Sequence, residues 1–188
     1  ELQAFMSNTS HDNAEVEDLS IAMLRFSQGA LGQITSSVVH HGEEQQLIFQ
    51  GKAARVSAPW KLKASSAKPN GFPEPNEALE ERIRQLYDSL PEVEHEGHAG
   101  QIDNVLRAIE TGEPVLIDGI SGRGTLELIL GIYKSASTGG KVTFPLAPDD
   151  PFYTREGIQA NATHFYEKKA SVENFQDVGI TTGSDLKG

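Results

Sequence analysis

The stretch "PVLIDGISGRGTLELILGIYKSA", residues 114–136, decides what kind of fold this chain can have. A short apolar run ends in Asp118, the glycines Gly119, Gly122 and Gly124 follow, and a helical pattern begins. Further on, "KVTFPL" (141–146) reads as a strand. One reading is a phosphate-cradling turn in a nucleotide-binding βαβ unit; the other is a capped helix. A dinucleotide fingerprint needs G-x-G-x-x-G directly after a strand, so that backbone amides at the helix start can approach a pyrophosphate. Here the spacing is reversed, G-x-x-G-x-G, and the residues after Leu146 are too few to complete a doubly wound sheet. Asp118 or Ser121 as N-cap, with small residues for close packing, accounts for the same letters.

Outward from that helix (121–138, burying Leu126, Ile129, Leu130 and Tyr133, with a strand at 115–117 before it), the pattern is strands first and helices later. Residues 15–39 read as a hairpin turning at Gln28-Gly29, with Leu19, Ile21 and Met23 alternating against Ala22, Leu24 and Phe26. On its return strand Ile34, Ser36 and Val38 oppose Gln33, Thr35 and Ser37, which leaves one mildly polar, uncharged sheet face suited to packing on another protein surface. "QLIFQGKAARVSA" (46–58) reads as a second hairpin, turning at Gly51-Lys52. The proline-rich 59–76 reads as a long loop. Apolar stripes predict helices at 77–90 (Leu79, Ile83, Leu86, Tyr87, Leu90) and 97–112 (Ile102, Val105, Leu106, Ile109), the latter closed by Gly112. The order predicts an α+β fold: an open, mostly antiparallel sheet with helices on one face and the other face free for oligomerisation. We expect one domain over 1–150 and an extended arm over 151–188, laid on the domain or on a neighbouring subunit.

Composition narrows the function. A net charge of −11 argues against nucleic acid or an anionic membrane as partner, and Lys168-Lys169 is an isolated pair. With no cysteine, disulfides, thiolate zinc sites and cysteine nucleophiles are excluded. The longest apolar run, 126–133, carries Glu127 and is too short for a bilayer. No secretory signal is visible, so we expect a cytoplasmic protein. The start without Met, mid-pattern at "ELQAF", is what a piece of a longer polypeptide would show.

Three clusters carry candidate chemistry. In "EHEGHAGQ" (94–101), His95 and His98 lie three apart at a helix start among Glu92, Glu94 and Glu96. They suit either metal ligation, with a further ligand from His40, His41 or His164, or, for His98 with Gln101, hydrogen bonds to substrate hydroxyls; a solvated helix start is the plainer alternative. Trp60, with Lys61 beside it, is either a platform for a sugar ring or loop packing. "SHD" (10–12) holds triad residue types, but neighbours in sequence cannot provide triad geometry.

Taken in order, "EVEDLSIAMLRFSQGALGQITSS" and "GHAGQIDNVLRAIETGEPVLIDGISGRGTLELILGIYKSASTGGKVTFPL" resemble the C-terminal half of the glucose–fructose oxidoreductase / inositol dehydrogenase (Gfo/Idh/MocA) family over about residues 15–150. The resemblance implies a parent with an N-terminal Rossmann domain binding NAD or NADP, and a C-terminal domain that shapes the substrate pocket and oligomerises through its bare sheet face. It implies hydride transfer to or from a sugar, cyclitol or related polyol. The chain itself lacks G-x-G-x-x-G, E-K-P and G-x-x-x-D-x-G-x-H, so no catalytic or cofactor-binding residue carries over. The carry-over is confined to the substrate side: His98 and Gln101, then Trp60 and Lys61. The expectation is therefore a domain inactive alone and binding no cofactor. Two other classes stay open: a metal-dependent hydrolase or isomerase built on His95 and His98, and a non-catalytic oligomerising scaffold.

Overall fold

The computed structural model describes residues 1–42 and 45–169 of the chain. They fall into two units, one made of residues 1–41 with the residues from 114 on, the other of residues 42–113.

The first unit holds strands β1 (Leu2–Ser7), β2 (Leu19–Arg25) and β3 (Leu31–Ser37), paired antiparallel in that order. Gly29, at φ 88°, supplies the left-handed turn of the β2–β3 hairpin, where the Phe26 amide donates to the Ala30 carbonyl at 2.9 Å. One sheet face is core: Leu2, Ala4 and Ala22 are buried, and Met6, Leu24 and Ile34 pack beside them. Against it lies the long helix α3, one of the α-helices among the described residues, which in chain order are α1 (Glu77–Asp88), α2 (Gly97–Thr111), α3 (Gly119–Thr138) and α4 (Arg155–Asn161). Its buried stripe is Gly131, Ile132 and Ser135, with Leu128 and Leu130 half-buried around it. The expected stripe holds in part: Leu130 and Tyr133 are half-buried. Leu126 and Ile129 are exposed, because the helix turns its Leu128–Ser135 edge to the sheet.

Ser135 joins the two layers. Its hydroxyl accepts the Ala4 amide of edge strand β1 at 2.9 Å and donates to the Gly140 carbonyl at 2.6 Å. Gly131 leaves room for the Phe144 ring, which a Cβ there would overlap.

The second unit is a four-stranded antiparallel sheet, β4 (Leu47–Gln50), β5 (Ala54–Ala58), β6 (Lys61–Ala67) and β7 (Pro73–Pro75), with α1 against β6. Asn76 caps α1 by accepting the Leu79 amide at 3.0 Å, and Gly112, at φ 74°, ends α2. The expected loop 59–76 is therefore corrected: it contains two strands. "KLKASSA" alternates Leu62 and Ala64 against Lys61 and Lys63, while Pro73 and Pro75 sit on the edge strand, where a missing amide is tolerated. Two other expectations are also corrected. Residues 115–117 form no strand, and of 141–146 only Val142 pairs, bridging antiparallel to Leu2. The architecture is α+β with antiparallel sheets, as the element order predicted.

Beyond residue 150 the described chain is anchored rather than featureless. A 3-10 turn (Pro151–Tyr153) buries Phe152, and α4 follows. Lys134 of α3 pairs with the buried Asp150, and the Tyr153 hydroxyl donates to Glu127 at 2.7 Å. The Phe165 amide reaches the Glu15 carbonyl at 3.0 Å. The rest of the expected arm, from residue 170, lies outside the described residues.

Candidate functional site

The opening stretch resolves into a capped helix. Asp118 accepts the Ser121 amide at 2.8 Å and starts α3 one turn before the periodic residues. That hydrogen bond, first, holds its carboxyl below the usual aspartate range. The Asp118 carboxylate thus takes up a helix-start amide that a pyrophosphate would otherwise meet, the arrangement of an N-cap. Gly119, Gly122 and Gly124 all face open space; no close approach in this structure requires them to be glycine.

All four expected substrate-side residues lie in the second unit. His98 and Gln101 occupy the first turns of α2, one turn apart, and His98 Nδ1 stands 3.4 Å from Gln101 Oε1. Both side chains are exposed, so that long contact leaves most of their hydrogen-bonding capacity free for another molecule. Gly100 lies against the His95 carbonyl, which a Cβ would overlap, so the path of the chain from His95 into the first turn of α2 depends on a glycine. Trp60 sits at the β5–β6 turn and stacks on Tyr87 of α1, with ring centroids 3.8 Å apart and planes 9° apart. One ring face is thereby covered. Lys61 opens β6 opposite Ser57. The structure brings His98 to Gln101 and Trp60 to Tyr87. Among the described residues no hydrogen bond joins the two pairs.

Among the described residues no group of three or more histidines and carboxylates is arranged to hold a metal ion. His95 and His98 therefore gain no support as ligands.

Two clusters lay beyond sequence reasoning. In the first unit the buried Asp18 carboxylate accepts the Thr9 amide at 2.9 Å, the Ser10 amide at 2.8 Å and His11 Nδ1 at 3.2 Å. Burial pushes its carboxyl up, but these donors together outweigh it and hold the group below the usual range. His11 thus meets Asp18, not its neighbour Asp12. Asn8, also buried, donates to the carbonyls of His11, Ala14 and Val16, so loop 8–18 is fixed from inside.

In the second unit a cleft of about 470 Å³ opens at the β4–β5 turn, lined among others by Lys52, Arg55, Lys63, Glu74 and Glu80. Arg55 and Lys63 are direct cross-strand partners. The available signal was the alternation in 61–67, masked by the prolines around it.

Fold and helix start define the class: an α+β domain of antiparallel sheets whose glycine-rich turn is closed by its own acid. The family follows from sequence. A profile of the "Oxidoreductase family, C-terminal alpha/beta domain" (GFO_IDH_MocA_C) matches residues 2–144, and the chain belongs to that family. Among solved structures it is similar to the WlbA dehydrogenase from Bordetella pertussis in complex with NADH and UDP-GlcNAcA, at 22% identity and TM-score 0.54, covering 78% of this chain and 42% of that one. It is also similar to UDP-N-acetylglucosamine 3-dehydrogenase GnnA from Acidithiobacillus ferrooxidans, at 16% identity and TM-score 0.50, covering 72% and 39%. A putative myo-inositol dehydrogenase from Sinorhizobium meliloti matches at 18% identity and TM-score 0.51, covering 77% and 43%. The chain thus spans under half the length of each. No curated protein matches the sequence. No helix of the described residues is long and apolar enough to cross a membrane.

Proposed function

We propose that this chain is the substrate-binding and oligomerisation part of a nicotinamide-dependent oxidoreductase acting on a sugar, cyclitol or related polyol. The observation that carries the reading is the family match over 2–144; the Asp118 cap on the glycine-rich helix start supports placing the dinucleotide elsewhere. NAD or NADP, bound by a separate Rossmann domain of the parent, would accept or supply the hydride. This chain's contribution would be orientation. The His98 imidazole and the Gln101 amide each offer a donor and an acceptor, the chemistry that recognises vicinal hydroxyls. Trp60, steadied by Tyr87, would offer an apolar ring, and Lys61 a cation beside it. No group among them is assigned the proton transfer; that role belongs to the part carrying the cofactor.

The outer face of β1–β3 supports the second half of the proposal. Phe5, Ile21, Met23 and Leu31 stand exposed on it among Gln3, Gln33 and Thr35. This face is more apolar than the small, mildly polar surface expected from the return strand, and a second copy of the chain would cover it.

The test is the coding sequence upstream of Glu1. A G-x-G-x-x-G after a strand, followed by E-K-P, is expected there. An upstream region encoding neither would overturn the reading.

A further inference from the structure

We propose that the cleft at the β4–β5 turn is a binding site for a small molecule bearing a phosphate group, held by Lys52, Arg55 and Lys63. The argument starts from register. Arg55 and Lys63 face each other directly across an antiparallel pair, with Cβ atoms on one sheet face. Like charges in that position repel and destabilise the sheet. Lys52, from the adjoining hairpin turn, adds a third cation to the same cleft. Among the described residues none of the three forms an ion pair, although the chain as a whole carries a net charge of −11. Three cations lining one cleft of an acidic protein, none ion-paired among the described residues, are what a bound anion would neutralise. A guanidinium fork and two ammonium groups are the donors that phosphate oxygens take.

Two acidic residues in the same lining, Glu74 and Glu80, limit the ligand further. Glu80 is fixed by the Ala64 amide, which donates to its Oε1 at 2.9 Å, and Glu74 stands on edge strand β7. Their remaining oxygens accept hydrogen bonds and repel anions. A ligand that offers phosphate to the cations and hydroxyl groups to the carboxylates, a phosphorylated polyhydroxy compound, meets both kinds of lining residue. The volume, about 470 Å³, suits a ligand of that size. The cleft shares no residue with the His98, Gln101, Trp60 and Lys61 set, so this inference stands or falls independently of the proposed function.

Calorimetric titration of the full 188-residue chain with inorganic pyrophosphate tests it. Saturable binding is expected, weakened about tenfold or more in Arg55→Gln and in Lys63→Gln, and weakened by added salt. Thermal unfolding supplies a second readout. Pyrophosphate should raise the midpoint of the wild-type chain and not that of Lys63→Gln. The ligand-free Lys63→Gln protein should itself melt higher, because the like-charge pair is gone, which separates a lost ligand from a lost fold. Absence of saturable binding, equal binding by the variants, or citrate binding as tightly as pyrophosphate would overturn the assignment.

Discussion

At the scale of single residues, the first unit depends on contacts that join distant parts of the chain. Ser135 Oγ satisfies the Ala4 amide across 131 positions of sequence and is fully buried. Ser135→Ala leaves a buried amide and the Gly140 carbonyl without that partner, so a loss of about 2 kcal/mol is expected in denaturant unfolding. Gly131→Ala tests packing instead. In an open helix the change would stabilise by about 0.5–1 kcal/mol, whereas overlap with the Phe144 ring predicts a net loss of about 1–3 kcal/mol. Asp18 gives a pH dependence. Its folded-state carboxyl lies below the ordinary range, so the stability it contributes is present above that range and is lost as pH falls through the folded value. Hydrogen exchange at the Thr9 and Ser10 amides should therefore stay protected through neutrality and open in acid, and Asp18→Asn should remove that dependence. Legibility at this scale followed sequence distance. The Asp118 cap could be read because its acceptor and donor lie three positions apart. Nothing local announced Ser135.

Among the elements, the β2–β3 hairpin and helices α1 and α2 were readable, the hairpin from its turn at Gly29, the helices from their apolar stripes and, for α2, from Gly112. Strand β6 was hidden because prolines on both sides mimic a loop, although its own residues alternate. Strand β1 escaped notice because its pairing with β2 is non-local, while its alternation, Leu2, Ala4 and Met6, was present in the sequence. The stripe of α3 was misplaced in part, at Leu126 and Ile129, for a related reason. Leu126 and Ile129 have the right period, but the sheet receives the edge that carries small Gly131 and Ser135, which allow close approach. The outer face of β1–β3 carries this scale's prediction. If a second copy covers it, Ile21→Lys, which places a charge beside Phe5 and Met23, should shift sedimentation from an oligomer to a monomer with the far-ultraviolet circular dichroism unchanged. An unchanged oligomer would remove the sheet face from the account.

For the molecule as a whole, fold class and family were both legible, because they rest on the order of elements and on the run from His98 to Leu146. The candidate site was legible only as a set of residue types. His98 and Gln101 share a helix start, but what faces them is set by tertiary and quaternary structure that no local pattern encodes. The like-charge pair Arg55–Lys63 was invisible for the same reason, since it exists only once the register of β5 and β6 is known. The central claim is a division of labour, with substrate orientation in this chain and the dinucleotide elsewhere. Its most direct test is a dehydrogenase assay, following NAD or NADP reduction with a panel of polyols and sugars. The 188-residue chain should be compared with the polypeptide as encoded, including whatever precedes Glu1. The account predicts turnover by the encoded polypeptide, reduced in its His98→Ala variant, and none by the 188-residue chain. Turnover by that chain alone would contradict it.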